Sequence, residues 1–396
     1  MKIPFFSSLH RGTLMAVFDI GSGSVGGAIV EERGQRPLLI HTSLRLSVPH
    51  EKRTEEQLAT VIAQKTAEVA EKLLTMHAKS KAPQKSIREC LVVVHVPWVH
   101  SFTHVLEAPL KAETRVIEDM IVQLSHKALP KKAEDERIET FEKSVVRVEL
   151  NGYPTSNPIG KKAKHIGVVV LETEMLQQMK KRLTNSLGAT FPGVTLLFRS
   201  STLVDSTLMR RRAPQLAHFT IADVTSEATS ITIIRGGVVV DQRIVPVGFR
   251  SILRTISKEK GSTEDDIQSR IRMLMKDMCS TDECRSLTSS LDAVGAQFTK
   301  DFGNVFAEMG KVRKLPNTLV VRCHPDLLKW FTAFFARLDF AQFTETTQPF
   351  SVGEITAGAI AEHVVFTPGN TLDAGIATSC AFLYTGRRDA VGNLET

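Results

Sequence analysis

Hydrophobic residues at the start of the chain follow the two-residue period of strands and then switch to the spacing of a helix. Ala16-Val-Phe-Asp-Ile-Gly-Ser-Gly-Ser-Val-Gly-Gly-Ala-Ile-Val30 predicts an apolar strand, a turn of small residues and a second apolar strand. Residues 37–42 and 43–48 continue the alternation. Leu58, Val61, Ile62, Val69, Leu73 and Leu74 then mark a helix over 54–76. Thr54 stands three residues before Gln57, the spacing of a capping box, so that helix is expected to begin there. A polar stretch at 79–85 reads as a boundary.

The pattern over 85–188 predicts an inserted α+β unit. Strands are expected at 90–97 and 101–106, a helix at 114–129 and a charged loop at 131–136. A strand at 144–150 then enters the hairpin turn Asn151-Gly152, followed by a strand at 165–171 and a helix at 174–187. Beyond it lie a strand at 194–198, a helix at 201–212, a second hairpin and a strand at 238–247. Helical patterning fills 248–314 with a break at 279–284. A strand at 319–323, a helix at 325–338 and a last helix at 354–365 follow, and the residues after 386 read as a loose tail.

The second hairpin, Thr220-Ile-Ala-Asp-Val-Thr-Ser-Glu-Ala-Thr-Ser-Ile-Thr-Ile-Ile-Arg-Gly-Gly237, repeats the first. Setting Asp19 on Asp223 places Ser22 over Ser226 and Ile29 over Ile233. Two ordinary hairpins can share such a pattern. A duplicated core would instead give two similar lobes facing one cleft, each offering a turn. Small turns matter chemically because their backbone N–H groups can converge on an anion, while a preceding carboxylate can face a magnesium ion beside it.

Composition narrows the class. At 396 residues the chain exceeds a single core, and 42% hydrophobic with 23% charged content is that of a globular protein. Five scattered cysteines without a CxxC pair argue for a reducing compartment and against a disulfide framework. Cys279, Cys284, Cys323 and His324 match no standard zinc spacing. The net charge of +7 comes with basic clusters, but aromatic residues make up 6% and do not interleave with them, which disfavours nucleic acid. An anionic membrane face is a second possible partner for those clusters, but solvated surface is favoured for each, so the membrane is expected to be reached only indirectly. No apolar run reaches the length of a spanning helix, and the opening Phe5, Phe6 and Leu9 are too few for a secretory signal, so a cytoplasmic location is expected.

The order of parts resembles the FtsA/PilM branch of the actin-like superfamily, which shares its core with sugar kinases, heat-shock chaperones and actin. A local match is Asn151-Gly-Tyr-Pro-Thr-Ser-Asn-Pro-Ile-Gly160 followed by Lys161-Lys162-Ala163, similar to that branch's DG…NPxG segment. The resemblance covers roughly residues 13–385. It implies an α/β, two-lobed actin-like ATPase fold with an inserted α+β subdomain in the first lobe and a helical subdomain in the second. The divisions expected are 1–84 plus 349–396 for the first lobe, 85–188 for the insert, 189–255 plus 316–348 for the second lobe and 256–315 for the helical part.

By that resemblance ATP and magnesium would lie between the lobes. Gly21, Ser22, Gly23, Ser24 and Val25 would hold phosphates from one side and Thr225, Ser226 and Thr229 from the other, with Asp19 and Asp223 facing the metal. The insert would receive a short cytoplasmic peptide of an inner-membrane protein, at an edge strand or groove, and FtsA-like relatives add self-association. Three departures bear on catalysis. Thr225, Ser226 and Glu227 replace the usual glycines, and a carboxylate at Glu227 would repel phosphate unless it turns away. Arg322-Cys323-His324-Pro325 stands where a Gly-rich adenosine turn is expected, and would crowd a purine and ribose. Arg199 or Ser200 takes the place of a water-orienting acid. Phosphoryl transfer depends on positioning and electrostatics, so no catalytic residue is assigned, and weak ATPase activity is the most that is expected. The reading is therefore a scaffold at the inner face of the cell membrane with a degenerate ATP site, serving type IV pilus assembly. The alternatives are an FtsA-like division protein and an active ATPase or small-molecule kinase. The polar end of the chain favours the pilus role, since FtsA proteins close on an amphipathic helix.

Overall fold

The computed structural model describes residues 13–386 apart from 35, 50, 52, 81, 84, 130–134, 214, 356–361 and 371. In chain order the first elements are β1 (Thr13–Ile20), β2 (Ser24–Arg33), β3 (Arg36–Ser47), α1 (Glu55–Ala78) and β4 (Glu89–Val94). Then come β5 (Val99–Arg115), α2 (Glu118–Ala128), β6 (Ile138–Leu150), β7 (Tyr153–Pro154), β8 (Lys162–Leu176) and α3 (Gln177–Thr190). The middle of the chain forms β9 (Thr195–Ser200), α4 (Ser201–Arg212), β10 (His218–Val224), β11 (Thr229–Arg235) and β12 (Val238–Val245). The remainder is α5 (Phe249–Lys260), α6 (Glu264–Met275), α7 (Thr281–Met309), β13 (Thr318–Arg322), α8 (Leu328–Phe335), β14 (Ser351–Glu354), β15 (Val364–Phe366) and α9 (Ala374–Gly386).

Two sheets carry the lobes. The first runs β15-β3-β2-β1-β4-β9 and the second β12-β11-β10-β13-β14. The duplication seen in the sequence is geometric. Asp19 pairs with Gly26 in the β1–β2 ladder and Asp223 with Ser230 in the β10–β11 ladder, the same register in both. The same bond closes each turn, from Gly21 N–H to Ser24 O (3.1 Å) and from Thr225 N–H to Ala228 O (2.9 Å). In each lobe a parallel strand, β4 or β13, lies beside the aspartate-bearing strand.

The third sheet, β5-β8-β6-β7, belongs to the insert, and α2 covers one face of it through Ile121 and Leu124 against Val145, Val148, Ile166 and Val168. The expected divisions at 85 and 188 cut across the first sheet. β4 and β9 pair with each other inside it, and α3 packs on α1, because these segments supply apolar residues to the core around Phe18 and Leu73. At the other end β14 pairs with β13 in the second sheet, so residues 351–354 do not join the first lobe's sheet.

Several elements differ from the sequence pattern. β5 extends through Arg115 and leaves only Glu118–Ala128 helical, since its partner β8 is nearly as long and pairs with it out to Lys162. β8 likewise keeps 172–176 extended between β5 and β6, which delays α3 to Gln177. The helix expected at 325–338 shrinks to α8, with 3-10 turns at Pro325–Leu327 and Leu338–Phe343, and the second turn swings Phe340 into the aromatic core. Helical structure after the second sheet begins at Phe249, as the patterning from 248 predicts, so α5 spans the expected subdomain boundary at 256. The helix expected at 354–365 is not formed at its ends, which lie in β14 and β15, and its centre lies outside the described residues. The tail after 386 and Phe5, Phe6 and Leu9 lie outside them too. Cys279 and Cys284 form a disulfide, contrary to the expectation of free thiols. Cys279 precedes the first turn of α7 and Cys284 lies in it, so the start of the helix sets their Cα atoms 5.7 Å apart.

The helical part of the second lobe is packed by aromatic rings. Phe302 meets Phe334 at 5.5 Å and Phe335 at 5.2 Å between ring centroids, both edge-to-face, the arrangement that ring quadrupoles favour. Thr54 and Gln57 make the reciprocal capping box that starts α1. The insert is tied to the second lobe as well. Thr103 Oγ1 donates to Val239 O (2.7 Å), Ser101 N–H to Gln242 Oε1 (2.8 Å), Arg147 Nη1 to Gly236 O (3.2 Å) and Arg210 Nη1 to Val146 O (3.0 Å).

Candidate functional site

Asp19 is the last residue but one of β1 and Asp223 the last but one of β10, so the matching registers bring both carboxylates to the cleft between the lobes. Each is 4% exposed. Between them stands His95, also 4% exposed, just beyond the end of β4. Its backbone N–H donates to Ile20 O (3.0 Å), which fixes the start of the loop. Its ring reaches both acids, with Nε2 at 2.8 Å from Asp19 Oδ1 and Nδ1 at 2.8 Å from Asp223 Oδ2. An ionised carboxylate can only accept, so both ring nitrogens donate and the ring is an imidazolium.

Two arginines complete the cluster. Arg45, on β3, donates to Asp19 Oδ2 (2.6 Å), to both oxygens of Asp373 (2.6 and 2.9 Å) and to Ser24 Oγ (2.9 Å). Asp373 is held in turn as the cap of α9, accepting from Ile376 N–H (2.8 Å). Arg322, at the end of β13, donates to Asp205 on α4 (2.9 Å) and to Asp19 Oδ1 (3.1 Å). Ser201 Oγ donates to Asp223 Oδ2 (3.2 Å). The network thus crosses the cleft twice, from His95 of the first lobe to Asp223 and from Arg322 of the second lobe to Asp19.

Electrostatics follow from this geometry. Burial opposes ionisation of Asp19, but His95, Arg45 and Arg322 outweigh it and hold the carboxyl well below its ordinary range. Asp223 is lowered despite burial, chiefly by His95. Burial and the charge of Arg322 push the His95 imidazole down, yet Asp223 and Asp19 together raise it to about 9. Asp205 moves the other way, to about 6, because burial and the nearby Asp223 exceed the help of Arg322.

The two small turns also meet directly. Ser22 Oγ donates to Thr225 Oγ1 (3.1 Å) and accepts from Glu227 N–H (3.0 Å), so an amide of the second turn is engaged by a hydroxyl of the first. A Cβ on Gly23 would sit 2.4 Å from Ser226 Cβ. The structure therefore gathers Asp19, Ser22, Gly23, Asp223, Thr225 and Ser226 at one seam. Ser24 is turned to Arg45 and Gly21 O accepts from Trp98 Nε1 (3.3 Å). Val25 is buried in the first core and Thr229 Oγ1 donates to Val247 O (2.7 Å), so neither side chain reaches the seam.

A magnesium–phosphate group does not fit this arrangement. An imidazolium occupies the space between the two carboxylates, both oxygens of Asp19 carry cations, and the turns touch where phosphates would enter. Glu227 points away from the seam, to Arg254 Nη2 (2.5 Å) and Arg250 Nη1 (3.4 Å). Arg322 enters the carboxylate cluster instead of crowding a purine, and the His324 ring stacks on Phe249 at 4.8 Å. Arg199 and Ser200 belong to a separate buried cluster with Glu142, to which Ser200 Oγ donates. Burial pushes the Glu142 carboxyl up. Among the described residues no group of three or more His, Cys, Asp or Glu is placed to hold a metal ion, and no helix is long and apolar enough to cross a membrane.

Sequence reasoning missed His95, Arg45, Asp205 and Asp373. The available signal for His95 was a lone ionisable residue in the apolar run Leu91-Val-Val-Val-His-Val-Pro97, directly after the strand that pairs with the one carrying Asp19.

No protein-family model matches the chain, and no curated protein matches it. Among solved structures it is similar to the PilM–PilN type IV pilus biogenesis complex, at 13% identity, covering 95% of this chain and 99% of that one, with a TM-score of 0.59. It is more loosely similar to the ethanolamine utilization protein EutJ from Carboxydothermus hydrogenoformans, at 8% identity over 95% and 91% of the two chains, with a TM-score of 0.45. The likeness to the ROK hexokinase from Thermus thermophilus is weaker, at 10% identity over 96% and 100% with a TM-score of 0.35. The duplicated hairpins, the two facing lobes and the inserted sheet, together with the PilM likeness, show that this chain has the two-lobed actin-like ATPase fold.

Proposed function

We propose that this chain is a scaffold whose nucleotide cleft has become a permanent seam between lobes, and that it docks a short cytoplasmic segment of a membrane protein in type IV pilus assembly. The observation that carries this reading is the His95 imidazolium hydrogen-bonded to Asp19 and Asp223, where a nucleotide-dependent relative would need those acids free. A site that must exchange metal and phosphate gains nothing from carboxylates neutralised by three protein cations. A scaffold that must hold one shape does.

The docking half of the reading is supported by the fold shared with PilM, solved in a complex with PilN, and by the form of the insert. β5 is an edge of its sheet, and Val105 on it is 62% exposed. An edge strand of this kind suits addition of an extended peptide through main-chain hydrogen bonds. Such a partner places the chain at the cytoplasmic face of the inner membrane.

Calorimetric titration of the full chain with ATP and magnesium is expected to give no binding heat, and phosphate release is expected to stay at background. Magnesium-dependent micromolar binding, with turnover abolished by Asp19→Asn, would overturn the scaffold reading. Cytoplasmic peptides of membrane proteins encoded beside this chain are expected to include one binder whose affinity ATP does not alter. If none of them binds, the docking reading fails.

A further inference from the structure

The free end of the insert presents a second surface, unrelated to the cleft and independent of the peptide-docking reading. It is built from the Asn151–Gly160 segment that the sequence singled out. Asn151 and Gly152 both have positive φ, 54° and 82°, and form the tight turn between β6 and β7. Asn151 Oδ1 accepts from Lys164 N–H (2.8 Å) and His165 N–H (3.1 Å), which locks that turn to β8. Pro158 to Lys161 form a second turn, closed by Lys161 N–H to Pro158 O (3.2 Å), with Gly160 at φ 84°. Gly160 N–H donates to Val116 O (2.8 Å) and Val116 N–H to Lys161 O (2.8 Å), so the loop crosses the end of the sheet and is pinned beside Ile117. Arg115 Nη1 fastens it again through Gly160 O (3.0 Å).

This fixed scaffold exposes apolar side chains that nothing in the fold requires outside. Tyr153 is 75% exposed, Ile159 57% and Ile117 50%. Around them stand Lys111, Arg115, Lys161, Lys162 and Lys164, all exposed, and Arg115 pairs with Lys162 across the β5–β8 ladder. Among the described residues none of these five has a carboxylate partner. The acids on the same end are Glu113, Glu118 and Asp119, with Glu149 beside β7 paired to Arg147 (2.7 Å). Four strands spaced about 4.8 Å apart put the whole end within about 15 Å. Rigid apolar knobs rimmed by unpaired cations match the interface of an anionic bilayer, where an aromatic or aliphatic side chain enters the headgroup layer and lysines meet lipid phosphates.

We propose that the end of the insert is a membrane-contact site that seats directly on an anionic lipid surface through Tyr153, Ile159 and Ile117, with Lys111, Arg115, Lys161, Lys162 and Lys164 as its electrostatic rim. Co-sedimentation of the full chain with vesicles of phosphatidylglycerol and phosphatidylcholine, against phosphatidylcholine alone, tests it. Binding is expected only to the anionic vesicles and is expected to weaken as salt rises. Each lysine removed from the rim costs about fivefold in partitioning. Lys162→Glu with Lys164→Glu should therefore lower partitioning by more than an order of magnitude with its circular-dichroism spectrum unchanged, while Lys162→Arg with Lys164→Arg keeps it. Tyr153→Ser with Ile159→Ser should lower it with the charge unchanged. Failure of the unaltered chain to sediment with anionic vesicles overturns the proposal, as does binding that survives both the charge-reversing and the serine variants. Equal binding to both vesicle types, or binding only to vesicles carrying an embedded protein, also overturns it.

Discussion

Replacing His95 with alanine leaves Asp19 and Asp223 facing each other across the cleft without the cation that is hydrogen-bonded to both. An imidazole held at about 9 instead of its ordinary 6.5 contributes about 3 kcal/mol to the folded state wherever it is fully protonated. Breaking a buried ion pair by removing one partner costs roughly 3–5 kcal/mol, which agrees. His95→Ala should therefore lower the apparent melting temperature by roughly 4–6 °C near neutral pH. The sign of the pH dependence follows from the raised value. The contribution is complete below about pH 6.5 and is lost as pH climbs through about 9. Asp205, raised to about 6, has largely titrated before the upper part of that window. Melting followed by circular dichroism from pH 6.5 to 9.5 should show the unaltered chain losing stability and His95→Ala losing much less. A variant that melts with the parent and keeps its alkaline slope would refute the claim that this imidazolium holds the lobes together.

Gly23→Ala drives a methyl group to 2.4 Å from Ser226 Cβ and should destabilise the chain by about 1–3 kcal/mol, with Ser226→Gly restoring part of the loss in the double variant, read by chemical denaturation. Arg322→Met strips Asp205 and Asp19 of a shared guanidinium and should cost about 3–5 kcal/mol by the same measurement. Phe302→Ala empties the centre of the aromatic core and should cost about 3–5 kcal/mol, lowering the melting temperature without touching the seam.

The two hairpins were legible because each is a local pattern, apolar strand, aspartate, small turn and apolar strand, and local patterns survive reading in one dimension. α9 was not, since Ala374-Gly-Ile-Ala-Thr-Ser-Cys-Ala-Phe-Leu has no polar face. It is buried on the first sheet and against α4, so no amphipathic period betrays it. The limits of β5 and β8 escaped for a different reason. Their lengths are set by each other, and a ladder partner as distant as Met175 is from Val99 leaves no trace in local propensity. The seam combined both cases. Asp19 and Asp223 stood out, whereas the cations that neutralise them come from two other strands and the loop after a third, and only the fold brings Arg45, His95 and Arg322 to one point. Glu227 shows the reverse: an acid that looked hostile to a phosphate turn is accounted for by two arginines on a helix the turn itself starts.

The bonds from the insert to the second lobe, Thr103 to Val239 and Arg147 to Gly236, bear on how such a molecule can be controlled. With the lobes clamped both through the buried ion cluster and through the insert, hinge opening would have to break two distant sets of contacts at once. On the proposed function, a docked partner would therefore meet a single stiff contour whatever the energy charge of the cell. Switching such a device on or off falls to how many copies are made and to which surfaces are already covered.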